Sequence, residues 1–167
     1  MLVGVPKEIK VLEHRVGLTP ASVREVVHHG HQAIVERDAG QGIGASDDDY
    51  TRAGATIAAT ASEVWAKAQL IVKVKEPQAA ERAMLKPGQL LFTYLHLAPD
   101  PGQTKDLVAS GAVCIAYETV TSPSGDGLRC AITSCARRNS ALAIASCAAR
   151  RSTSSFATAW SASRRAE

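Results

Sequence analysis

Three side chains have the types that chemistry on a small 2-oxo or 2-amino acid requires: Arg15, Lys75 and His96. Such a molecule needs a fixed cation for its carboxylate, and a guanidinium fork can grip both oxygens. It needs a second cation or donor beside the 2-oxo group to polarise it, which a lysine supplies. It also needs a group that loads and unloads a proton near neutrality, the range of an imidazole. Residue type alone allows the bland alternative, three surface charges. Lys73 shares a strand face with Lys75, Val74 faces the other way, and one of the two lysines is expected to be solvated.

Other patterns suggest chemistry that their surroundings do not support. Gly40-Gln41-Gly42-Ile43-Gly44-Ala45 matches the G-x-G-x-x-A form of a dinucleotide-binding turn. The strand before it ends too early, and Asp47, Asp48 and Asp49 open the next helix where a phosphate would have to sit. It reads as a turn, so no cofactor-binding residue is assigned. His28, His29 and His31 cluster at a helix end, where a partly charged imidazole suits the dipole. Cys114, Cys130, Cys135 and Cys147 form no C-x-x-C pair and have no His close by, so no metal site is assigned.

The elements that must position these groups follow from periodicity and punctuation. β-branched and apolar runs predict strands at Met1–Val5, Gln32–Glu36, Ala55–Ala58, Leu70–Val74, Leu90–Tyr94 and Ala112–Ala116. Thr19-Pro20 caps a helix to His29, whose Val23, Val26 and Val27 form an i, i+3, i+4 stripe. Further helices are expected from Ser46 to Ala53, from Thr60 or Ser62 to Ala66, over Pro77–Leu85, and over Pro101–Ser110. Lys7–Gly17 reads as a loop, and Thr121–Gly127 as turn chemistry.

Strand and helix alternation predicts an α/β fold: a Rossmann-like, mostly parallel sheet with helices on both faces, joined by right-handed connections. Loops that do chemistry in such sheets lie beyond the carboxyl ends of the strands. That rule puts Lys75 and His96 on one edge, within reach of Arg15.

Composition divides the chain. The whole has 19 Lys plus Arg and 16 Asp plus Glu, a net charge of +3 that hints at an anionic partner. Residues 1–128 hold 12 basic and 15 acidic side chains, whereas 129–167 hold seven Arg, no Lys and one acid. All 12 Gly and all seven Pro lie at or before Gly127. The first part has the make-up of a globular domain. No apolar run approaches the roughly 20 residues of a membrane span, and the N-terminus lacks the pattern of a secretory signal. A cytoplasmic location, with no membrane and no nucleic-acid partner, is expected.

Five segments resemble the N-terminal part of alanine dehydrogenases: VGVPKEIKVLEHRVGLTPASV, AGQGIGASDDDY, KVKEP, LFTYLHLAPD and IAYETV. They occur in family order and spacing and span residues 1 to about 128. The resemblance implies a reversible reaction in which L-alanine, NAD and water give pyruvate, ammonium and NADH. It implies that Arg15 binds the substrate carboxylate, that Lys75 contacts the substrate and takes part in catalysis, and that His96 is the general acid/base. It makes Glu118 a candidate for a structural or metal-linked role. It also implies two Rossmann-like domains and a homo-hexamer. The transhydrogenase α-subunit, which shares the opening and the Gly-rich loop, is the alternative, as is a non-catalytic remnant that binds pyruvate or alanine.

From 129 on the sequence departs from that family. Of its 39 residues 26 are Ala, Ser or Arg, and it has no Gly, Pro, Lys, Asp or His. The expected division is a partial substrate domain over 1–128 and a foreign, irregular or partly helical tail over 129–167. The tail has the composition of a GC-rich gene read out of frame. The family's NAD domain has no counterpart in these 167 residues, so turnover by this chain alone is not expected.

Overall fold

A computed structural model describes residues 1–119. The strands follow the apolar runs: β1 (Leu2–Val5), β2 (Gln32–Glu36), β3 (Thr56–Ala58), β4 (Leu70–Val72), β5 (Leu90–Thr93) and β6 (Val113–Ala116). They form one sheet in the order β3-β2-β1-β4-β5-β6, and every neighbouring pair is parallel. The expected mostly parallel sheet is therefore wholly parallel over the described residues. The order reverses between β1 and β4, which is the switch point where doubly wound sheets open a crevice for ligands.

The helices begin where caps say they should. In α1 (Pro20–His28) the Thr19 hydroxyl accepts the Ser22 amide, and Pro20 opens the first turn. In α2 (Asp47–Arg52) Ser46 and Asp49 form a reciprocal capping box. α3 (Ala61–Lys67) is capped by Thr60, and α5 (Pro101–Ser110) by Asp100, with left-handed Gly111 ending it. Between them α4 is one turn, Ala79–Arg82, shorter than the expected Pro77–Leu85. At its start the Glu81 carboxylate accepts the Gln78 amide at 2.8 Å, so Pro77 precedes the helix, and Ala83 ends it.

Strand parity splits the core in two. Val3 and Val5, Ala33 and Val35, and Val72 pack with Val23 of α1, with Tyr50 of α2 and with Ala53 just after it. The intervening Ile34 and Ile71, with Leu91, pack with Val64 and Trp65 of α3 and with Leu107 of α5. Helices thus cover both faces. At Gly4 a side chain would collide with Ala68 and Val64, so α3 presses directly on the β1 backbone. Phe92 and Ile115 stay half-buried and Val113 is exposed at the β6 edge.

β4 stops at Val72, so Lys73 and Lys75 lie past the strand rather than on it. No described helix is long and apolar enough to cross a membrane. The expected turn at Thr121–Gly127 and the tail over 129–167 lie outside the described residues.

Candidate functional site

The loop between β1 and α1 carries Arg15, and packing holds it on both sides. Val16 and Leu18 are buried, and the Tyr50 hydroxyl donates to the Leu18 carbonyl at 2.9 Å. At Gly17 a Cβ would stand 2.3 Å from the Val72 carbonyl oxygen. Arg15 itself is exposed, and its guanidinium forks onto Glu13, with Nε to Oε1 at 2.7 Å and Nη2 to Oε2 at 2.5 Å. These bonds hold the Glu13 carboxyl down at about 2, against an ordinary 4.5, and the Lys75 charge adds to the effect.

A buried ion cluster ties this loop to the one after β4. The Lys73 ammonium meets Glu8 at 3.0 Å and Glu81 at 2.7 Å, with all three side chains almost wholly excluded from water. Glu8 also accepts the Val74 amide at 2.7 Å. Burial pushes the Glu8 carboxyl up, against the pull of Lys73. Lys73 is 2% exposed and is the structural member, and Lys75 is half-buried.

Beyond Lys73 the chain is held by its carbonyls. The Tyr117 hydroxyl donates to the Val74 carbonyl, and Thr93 Oγ1 donates to the Lys75 carbonyl at 2.7 Å. The Lys75 ammonium lies over the Tyr94 ring, 5.3 Å from its centre. Tyr94 also stacks on His96 with ring centres 5.5 Å apart, and its hydroxyl lies 3.3 Å from His96 Nδ1. Tyr117 meets Tyr94 edge-on at 5.8 Å. Burial raises the Tyr117 hydroxyl, and the charge of Arg15 opposes that rise.

His96 has a left-handed backbone, φ +49°. Glu118, just past β6, holds it there by accepting the Leu95 amide at 3.0 Å and the His96 amide at 2.9 Å.

Arg15, Lys75 and His96 thus stand on three loops at the carboxyl edge of the sheet, two of them flanking the switch point. Glu13 holds the Arg15 guanidinium, and Tyr94 touches both Lys75 and His96. The arrangement can grip a carboxylate, polarise a neighbouring carbonyl and exchange a proton. The residue-type reading missed Glu13, Tyr94, Tyr117, Glu8 and the role of Lys73. Glu13 has a local signal, since a carboxylate two residues before an Arg can pair with it. Tyr94 and His96 are likewise two apart at a strand end. Glu8 and Lys73 have no local signal, because 65 residues separate them.

The Gly40–Ala45 segment makes a tight turn through Gln41–Ile43. At Gly42 a Cβ would stand 2.1 Å from the His14 carbonyl oxygen. The glycine therefore admits the backbone of the Arg15 loop. A concavity of about 480 Å³ beside it is lined by Asp38, Asp47 and Asp48, among others. These carboxylates repel a pyrophosphate, and the close approach at Gly42 is already filled by protein. The turn does not fit a dinucleotide.

The model of the alanine dehydrogenase/PNT N-terminal domain matches residues 4–137. The chain belongs to that family. It is 56% identical over 125 residues to an alanine dehydrogenase of Halomonas elongata, which covers 75% of this chain and 34% of the relative. An alanine dehydrogenase of Mycolicibacterium smegmatis is 50% identical over the same span. Among solved structures, an L-alanine dehydrogenase superposes with a TM-score of 0.73 at 48% identity, covering 75% of this chain and 35% of that one. A transhydrogenase from Sinorhizobium meliloti superposes at 0.67 with 27% identity. The chain thus spans about a third of the length of the curated relatives it matches. The expected family and fold class agree with these findings, and the N-terminal family domain is the part that this chain shares with its relatives.

Proposed function

We propose that this chain is the substrate-binding part of an alanine dehydrogenase-type enzyme, and that its ligand is pyruvate or L-alanine. Residues 1–128 form that part. The observation that supports the reading best is the convergence of Arg15, Lys75 and His96 on one sheet edge, with Tyr94 in contact with two of them. Arg15 grips the carboxylate. Lys75, oriented by the Tyr94 ring, places its charge against the 2-oxo oxygen. His96 takes or returns a proton at its exposed edge, with Nδ1 facing the Tyr94 hydroxyl.

In the whole enzyme the family's cofactor is NAD, which accepts hydride when bound. The Gly40–Ala45 turn does not supply its site, and the roles assigned to this chain are binding, orientation and proton exchange. A homo-hexamer in the cytoplasm belongs to the same reading.

Calorimetry with pyruvate tests it. The wild-type chain gives saturable heat, and Arg15→Ala abolishes it while circular dichroism stays unchanged. Equal heats from the two proteins reject the assignment.

A further inference from the structure

We propose that Glu13 is the positioning residue of the carboxylate grip, locking Arg15 by its Nε/Nη2 edge and leaving the Nη1/Nη2 edge open for the substrate. The inference rests on the reading of Arg15 as the carboxylate anchor.

The geometry separates the two partners of the guanidinium. Glu13 does not depend on the Arg15 side chain for its place. The backbone amide of Arg15 donates to Glu13 Oε1 at 2.9 Å, and the Glu13 side chain is only 7% exposed. Arg15 by contrast is 61% exposed along its side chain. A long exposed side chain explores many rotamers, and a ligand that must order it binds more weakly. A carboxylate fixed by its own turn removes that freedom before the ligand arrives.

A guanidinium is planar and has two parallel-bond edges. Glu13 takes the edge made by Nε and one Nη2 hydrogen. Among the described residues no group accepts from Nη1. The remaining edge is a second fork in the same plane, directed away from Glu13. A substrate carboxylate there does not compete with Glu13 for hydrogens. Charge fits as well, since Arg15, Lys75 and Glu13 together sum to one positive charge, which one carboxylate neutralises.

The full 167-residue chain tests this by ¹⁵N spectroscopy of the Arg15 Nε–H and by calorimetry. In the wild type the Nε–H is a resolved, slowly exchanging signal that persists at saturating pyruvate. Glu13→Gln loses the protected signal and weakens pyruvate binding by about tenfold, the order expected when the ligand must itself order the arginine. Loss of the wild-type signal on saturation with pyruvate would show that both carboxylates want one edge, and would overturn the proposal. So would a folded Glu13→Gln that binds pyruvate as tightly as the wild type. The wild-type titration needs no variant to fold. A wild type that gives no pyruvate heat overturns the anchor reading instead, whereas one that binds pyruvate with a freely exchanging Nε–H overturns the lock.

Discussion

The Glu118 carboxylate holds the backbone of His96, accepting its amide at 2.9 Å across 22 residues of chain. It joins the end of β6 to the loop after β5 and keeps a non-glycine residue in the left-handed region, φ +49°. Removing the acceptor leaves the Leu95 and His96 amides without it. Glu118→Ala should cost about 1–3 kcal/mol, the penalty for a lost acceptor at partly buried donors. His96→Asn should retain stability, because Asn tolerates this backbone, while it abolishes proton exchange at the site. Thermal melts of the two variants check both statements, and equal losses would reject them.

The buried cluster of Lys73 with Glu8 and Glu81 predicts an asymmetry. Two carboxylates share one ammonium, so the cluster is net negative whenever both are ionised. Glu8→Gln leaves a balanced pair of Lys73 and Glu81 and keeps an acceptor for the Val74 amide. Lys73→Met leaves two carboxylates buried without a counter-charge. Urea denaturation should show a loss of about 3–5 kcal/mol for Lys73→Met. Glu8→Gln should lose clearly less.

Glu13 and Glu8 drive stability in opposite directions with pH. Glu13 falls from 4.5 to about 2 on folding, so its contribution is complete above pH 4.5 and is lost as pH drops towards 2. Glu8 is raised above 4.5 on folding, so its ionisation costs stability as pH climbs upward from that value. Together the two groups favour a maximum near pH 4.5. Melting temperatures across this range should show a shallower acid limb in Glu13→Gln and flatten on the upper side in Glu8→Gln. Profiles that match the wild type in both variants would contradict this.

Gly42 and Gly17 set the path of the Arg15 loop by letting backbones touch. A methyl group at Gly42 would sit 2.1 Å from the His14 carbonyl oxygen, so the loop must move. Gly42→Ala should destabilise by about 1–3 kcal/mol, the usual cost of overpacking, and should weaken pyruvate binding as well. Gly30→Ala is the control. Open space surrounds Gly30, whose φ of +79° brings backbone strain without touching the site. Its pyruvate affinity should match the wild type.

Much of the fold was legible in the sequence because its signals are local. Thr19-Pro20, Ser46 and Thr60 cap helices within three residues of themselves, and the alternation of strand and helix demands a parallel sheet. Boundaries were less legible. β4 ends at Val72 rather than Val74, although the Lys73 amide still donates to the Phe92 carbonyl at 3.1 Å, and α4 is confined to Ala79–Arg82, with Glu81 accepting the Gln78 amide at its start.

The sequence by itself determined which chemical groups are present and which end of the sheet they occupy. Arg15, Lys75 and His96 had to lie beyond strand ends, because chain direction in a parallel sheet sends every such loop to one edge. Only the tertiary structure decided which neighbours each group meets. It made Lys73 a buried clamp and half-exposed Lys75 a candidate ligand group. It showed that the Gly40–Ala45 turn seats the Arg15 loop, and placed Glu13 on one edge of the guanidinium. Caps and periodicity act within a few residues, where sequence patterns record them. Burial and charge pairing join residues tens of positions apart, and no local pattern specifies those partners.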